Sequence, residues 1–127
     1  IFVCGMFNSF PVDFILRHRI LTNLTLNFIK DLPIPEFDKN DQLHQKILKN
    51  SSMLICTTDD YSKLRTDVGI SKFVTDSNER NTLEAQINAC AAKIYDLNTE
   101  ELEYILSTFT IISQKFKELT LDEFSLL

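Results

Sequence analysis

The sequence predicts a mostly α fold, a bundle of about four to five helices with one or two short strands left from a truncated domain. Two Gly and three Pro in 127 residues are too few for the tight turns of an all-β chain. Apolar residues recur at helical spacing along most of the chain. Asp and Asn stand just ahead of several of those runs, where a helix start needs a side-chain acceptor. Hydrophobic residues at 44% and charged residues at 24%, with a mean hydropathy of −0.05, are the balance of a globular core with a polar surface. No stretch reaches the roughly 18 uninterrupted apolar residues of a membrane span.

The elements follow in order. Residues 1–19 read as helix, broken near Asn8-Ser9-Phe10-Pro11. Asn8 or Ser9 is the expected cap of the second piece, and Pro11 suits a first turn because its missing N–H needs no partner there. Val12, Ile15 and Leu16 share a face, with Phe14 on its flank. Residues 23–32 alternate, with Leu24, Leu26 and Phe28 to one side and Thr25, Asn27 and Ile29 to the other, which predicts a strand. Pro33-Ile34-Pro35 ends it. Asp38, Asn40 or Asp41 caps a helix running to about Cys56, with Leu43, Ile47, Leu54 and Ile55 as its stripe. Residues 57–76 read as loop or short helical turns. Asp76 and Glu79 form a capping-box pattern ahead of Leu83, Ile87, Cys90, Ala91 and Ile94. Asn98 and Glu101 repeat it ahead of Leu102, Ile105, Leu106, Phe109 and Ile112, and Thr120 and Glu123 start a last short turn.

A lone strand is unstable, and the chain opens on Ile1-Phe2-Val3-Cys4 with no cap or polar lead-in. Both features predict a piece of a longer protein whose sheet lies upstream. Three cysteines far apart (Cys4, Cys56, Cys90) fit reduced, buried thiols in a cytoplasmic protein. His18 and His44 have no cysteine at metal-ligand spacing, so no metal is expected.

Net charge is −5, but unevenly spread. Residues 1–35 carry three basic and two acidic side chains, a balance of +1, and residues 36–127 stand at −6. Any anion-binding surface therefore belongs near the front. Catalytic residues are not expected: Gly5 and Gly69 cannot make a glycine-rich phosphate loop, and no Ser or Cys pairs with a His. Glu100, Glu101 and Glu103 read as a solvated helix start favoured by the dipole. The stretch 17–30 is the candidate for DNA contact, through Arg17, Arg19, Asn23, Thr25, Asn27 and Lys30, since Arg pairs with phosphate or guanine and Asn with adenine. The plainer account is two arginines complementing the negative end of a helix.

These residues resemble a known family. Asn8-Ser9, Asp13-Phe14-Ile15-Leu16-Arg17, Leu26-Asn27-Phe28 and Leu32-Pro33-Ile34-Pro35 match, in order, the C-terminal specificity (target-recognition) region of type IIG-like restriction–modification enzymes and related adenine-specific DNA methyltransferases. Arg80, Leu83, Ala91, Tyr95, Leu97, Glu101, Ile105, Leu106 and Phe109 hold the pattern of that family's terminal helices. Asn88 departs from it, standing where an Asp is often found, so a family salt bridge is expected to be missing.

The resemblance implies a parent enzyme that methylates adenine N6 with S-adenosylmethionine, with or without a nuclease on the same chain. The methyl-donor site and the Asn-Pro-Pro-aromatic motif would lie upstream, and no cofactor site is expected in this chain. Residues 1–35 would be the end of the recognition domain and residues 36–127 a helical C-terminal segment whose acidic helices face away from DNA. Partners would be double-stranded DNA, through the intact parent, and the upstream domains, with self-association of the isolated piece. A different class is a helical scaffold or subunit-contact module that never touches DNA.

Overall fold

The computed structural model describes residues 1–19 and 25–127, and of Phe28 the backbone alone. Every regular element among them is helical. These are α1 (Phe2–Phe7), α2 (Phe10–Arg19), α3 (Leu26–Lys30), α4 (Gln42–Ile55), α5 (Ser62–Asp67), α6 (Ser77–Ile94), α7 (Thr99–Ser107) and α8 (Gln114–Ser125), with a 3₁₀ turn at Asp59–Tyr61. The mostly α reading holds. The four to five helices become eight among the described residues, because residues 1–19 form two helices, α5 forms within the stretch expected as loop or short turns, and the expected strand is itself a helix.

That strand is the main correction. Over Thr25–Leu32 the backbone closes on itself, with Ile29 N–H donating to Thr25 O at 3.2 Å and Asp31 N–H to Asn27 O at 3.1 Å. A strand needs a neighbour to take its backbone groups, whereas a single helical turn supplies its own. The alternating pattern also reads as Leu26 and Ile29 at i, i+3 on a helix. Among the described residues no strand exists, and Asn23 and Leu24 lie outside them.

α6 is the axis of the fold. It runs through two apolar clusters. One joins Ala89 and Ala92 to Phe10, Leu102, Ile105, Leu106, Phe109 and Phe124. The other joins Ile87, Cys90 and Ala91 to Phe2, Met6, Val12 and Ile47. A helix buried on two sides needs small side chains so that neighbours approach, and the run Ala89-Cys90-Ala91-Ala92 is fully buried. α4 and α8 pack most extensively against it, α1 lies on α4, and α2 on α7. Residues before and after position 35 thus share one interior. Where α1 crosses α4, Gly5 meets Ser51 and Ile47. A Cβ there would come within 2.7 Å of Ile47 Cγ2 and collide with Ser51 Oγ.

Helix ends follow the sequence in part. Asp41 Oδ1 accepts from Leu43 N (2.8 Å) and His44 N (3.0 Å), capping α4. Asp76 Oδ1 does the same for Asn78 N and Glu79 N at the start of α6. Glu79 does not complete a box there, but turns to Lys72 Nζ at 3.1 Å. Asn98 and Glu101 do form the reciprocal box on α7, with both bonds at 2.9 Å. α6 ends in a Schellman turn: Leu97 N–H donates to Ala92 O and Asp96 N–H to Lys93 O, each at 3.0 Å. Asp96 occupies its left-handed position, φ 54°.

Three terminal expectations are corrected. Neither Asn8 nor Ser9 caps α2 through its side chain. Asn8 Nδ2 donates to Cys4 O (2.8 Å) and Ser9 Oγ to Met6 O (2.6 Å), both closing α1 instead. α7 stops at Ser107, where Ser107 and Thr108 hydroxyls bond back to carbonyls three residues earlier, so Phe109 and Ile112 reach the core from a turn. α8 begins at Ser113, whose Oγ accepts from Phe116 N (3.3 Å). Thr120 is buried in mid-helix, with its hydroxyl on Phe116 O. All three cysteines are free, and Cys4, expected inside, is exposed.

Among the described residues no helix is long and apolar enough to cross a membrane.

Candidate nucleic-acid interface

α2 delivers Arg17, His18 and Arg19 in its last turn, and α3 delivers Lys30 in its own. All four are exposed. The two helix ends are held together by Arg19 Nη1, which donates to Asp31 O at 3.3 Å. That carbonyl follows directly on Lys30, so the structure brings Arg19 and Lys30 to one corner. Cations at the carbonyl end of each helix are electrostatically favoured. Among the described residues neither Arg19 nor Lys30 makes an ion pair. Thr25 and Asn27 are exposed on the same short helix. Thr25 is its N-cap residue but makes no side-chain cap bond. Asn23 lies outside the described residues.

Arg17 has a different setting. Its Nη2 sits 2.8 Å from Asp13 Oδ2 and its Nε 3.1 Å from the same oxygen. The hydrogen bond to Asp13 raises the guanidinium pKa above its ordinary value. The guanidinium plane also covers the Phe109 ring, 4.6 Å from its centroid. Arg17 thereby ties α2 to the turn after α7, and its charge is already matched. His18, also exposed, bonds back onto its own helix. Its Nδ1 lies 2.8 Å from Phe14 O, and since a carbonyl only accepts, that nitrogen carries the proton. Its ring packs on Phe14 at 4.1 Å. Of the predicted cations, Arg19 and Lys30 are the pair available to an anion.

The acidic start of α7 does not point wholly away. Glu100 and Glu101 line a shallow recess with Phe14, Leu97 and Tyr104, so carboxylates flank the middle of α2. A phosphate can approach α3 and the last residues of α2, but not the α7 side.

Sequence reasoning missed the polar bonds that join distant segments. Asn88 Oδ1 accepts from Phe10 N at 2.6 Å, and Asn88 Nδ2 donates to Glu84 O at 2.9 Å. Asn88 therefore caps α2 from another helix, the role expected of Asn8 or Ser9. Tyr95 Oη donates to Pro33 O at 3.0 Å, and burial raises its pKa. Arg80 Nη1 donates to Leu54 O (3.1 Å) and Val74 O (2.9 Å). The available signal was a polar residue interrupting an apolar helix face, as Asn88 does between Ile87 and Ala89.

Among the described residues no three His, Cys, Asp or Glu side chains gather as metal ligands. No family model, curated protein or solved structure matches the chain.

Proposed function

We propose that this chain is the C-terminal recognition-and-support segment of a bacterial restriction–modification enzyme. The corner formed by Arg19 and Lys30 lies against the DNA backbone, and α4–α8 brace it. The observation that carries the reading is spatial. The words that resemble the family come from two stretches far apart in sequence, yet they touch in the fold. Arg17 stacks on Phe109, and Tyr95 bonds to Pro33. Residues that hold a pattern in both stretches thus form the joints of one interior. The parent enzyme, a cytoplasmic one, would use S-adenosylmethionine to methylate adenine N6 after extruding the base from the stack. This chain supplies none of that chemistry. Phosphate contacts position an enzyme on DNA without reading sequence, and that is the role given to Arg19 and Lys30.

The test is charge reversal at Arg19 and Lys30 in the intact enzyme. Each lost phosphate contact lowers the slope of log affinity against log salt by about 0.9, so the double variant loses about two. The 127-residue chain alone binds duplex DNA no more tightly than ~10⁻⁴ M at physiological salt. A gel shift showing tight, sequence-selective binding by the isolated chain refutes this assignment.

One observation favours the scaffold reading. On α3, Leu26 is 70% and Ile29 38% exposed, an apolar surface better suited to protein than to phosphate. Under that reading the charge reversals leave DNA affinity and salt slope unchanged.

A further inference from the structure

Residues 33–41 run as a strap from α3 to α4. Ile34 packs against the second apolar cluster, but Glu36, Phe37, Asp38, Lys39 and Asn40 are all exposed. Among the described residues, two side chains of α4 hold that exposed stretch of backbone. His44 Nδ1 accepts from Asp38 N–H at 3.0 Å, and Gln45 Nε2 donates to Lys39 O at 2.9 Å. Gln45 is itself exposed, so water competes for its bond. His44 is different, at 7% exposure. Its ring centroid lies 4.7 Å from that of Phe2 and 6.2 Å from that of Phe37, with the Phe37 ring near parallel. Phe37 in turn covers Phe2, centroid to centroid 5.3 Å, and Phe2 is 4% exposed.

The hydrogen bond fixes the state of the ring. A backbone N–H can only donate, so Nδ1 carries a lone pair and the proton of the neutral ring is on Nε2. A protonated imidazole has a donor at both nitrogens. On His44 it would set N–H against the Asp38 N–H and place a charge beside two phenyl rings, away from water. The nearby charged side chains are mostly carboxylates. Asp41, on the same helix, accepts from the His44 amide at 3.0 Å, and that bond is the main reason its carboxyl is held below its ordinary value. Asp41 therefore stays ionised while an imidazole titrates, and favours proton uptake. On the strap, the Asp38 carboxylate accepts from Asn40 N at 2.8 Å, and Glu36 and Lys39 flank the contact from exposed positions. α1 brings Phe2 and has no charged side chain, with the amino group of Ile1 adjoining it.

We propose that His44 is a proton-operated latch: neutral, it clamps residues 36–40 onto α1 and α4, and protonated, it lets them go and uncovers Phe2. Histidine is the side chain whose ordinary titration falls in the physiological range, and here one proton turns the acceptor that holds the strap into a donor. His44 lies outside the candidate interface, so the inference stands whether or not α3 meets DNA.

The experiment is amide hydrogen exchange on the 127-residue chain from about pH 8 to 5, the range in which an imidazole titrates. Protection factors are corrected for the intrinsic pH dependence of exchange, and the His44 ring is followed in parallel by its Cε1–H shift. Protection at the Asp38 amide is expected to fall about tenfold or more in step with proton uptake by the ring, the effect of losing one hydrogen bond and leaving its donor unpaired. The Leu43 amide, bound to ionised Asp41 at 2.8 Å, keeps its protection. His44→Asn puts a carbonyl oxygen near the Nδ1 position and does not titrate, so its Asp38 amide stays protected throughout. His44→Phe keeps the ring contacts without the acceptor, so its Asp38 amide is unprotected at every pH. If either variant disturbs the fold, the titration of the unmodified chain decides. Undiminished protection at Asp38 once the ring is protonated, equal losses at Asp38 and Leu43, a ring that takes up no proton by pH 5, or the same pH step in folded His44→Asn overturns the proposal.

Discussion

Replacing Asn88 with Ala removes the bond that ties the start of α2 to α6 across 78 residues of chain. Asn88 is 5% exposed and Phe10 9%, so the Phe10 N–H loses its acceptor where water cannot easily replace it. An unpaired buried donor costs about 1–3 kcal/mol, and the lost bond to Glu84 O adds at most about 1. The expected loss is about 2–3 kcal/mol, a large share of the roughly 5–15 kcal/mol that stabilises a domain. For a chain of this length, Tm should fall by roughly 6–15 °C. The assay is urea unfolding followed by far-UV circular dichroism, in which the midpoint drops and the slope m is unchanged. Asn88→Asp is the comparison. It keeps an acceptor at the positive end of α2, and so loses less than the alanine variant. The reasoning is refuted if Asn88→Ala stays within about 0.5 kcal/mol of the unmodified chain, the range of an indifferent surface substitution. Equal losses in the two variants also refute it.

Further expectations concern single groups. Asp96 sits in the left-handed region at φ 54°, which costs a residue with a Cβ, so Asp96→Gly should stabilise by about 0.5–1 kcal/mol in the same urea assay. Burial pushes the Cys90 thiol up from 9.0 to about 11. The unfolded chain then gives up that proton first, and between pH 9 and 11 stability falls as pH rises, by about 2 kcal/mol in all. Below pH 8 the group contributes no slope. Cys90→Ala abolishes this alkaline component, which unfolding curves at pH 8, 9.5 and 11 will show.

Much of the fold was legible because helix starts are local chemistry. Asp41, Asp76 and Asn98 each stand two or three residues ahead of the amides they accept from, and that spacing is visible in one line of text. The helix at Leu26–Lys30 was not legible, because Leu-Thr-Leu-Asn-Phe alternates as a strand does. What excludes a strand is the backbone bonding to itself, Ile29 N–H to Thr25 O and Asp31 N–H to Asn27 O, which no side-chain pattern displays. The capping of α2 was misassigned for the same reason, since Asn8 and Ser9 are the right residue types and only the fold shows their side chains turned back on α1. At the candidate interface, the basic residues could be named from the sequence. Their division could not: Arg17 is spent on Asp13 and Phe109, while Arg19 reaches across to α3.

The most direct test of the functional account is chemical. The complete gene product that carries these residues is expressed in a host lacking adenine methylation, and the host DNA is read for N6-methyladenine. The account predicts the mark at one short sequence, together with its loss when an upstream Asn-Pro-Pro-aromatic motif is disrupted. Unmethylated DNA from cells that hold the folded, full-length product would contradict it.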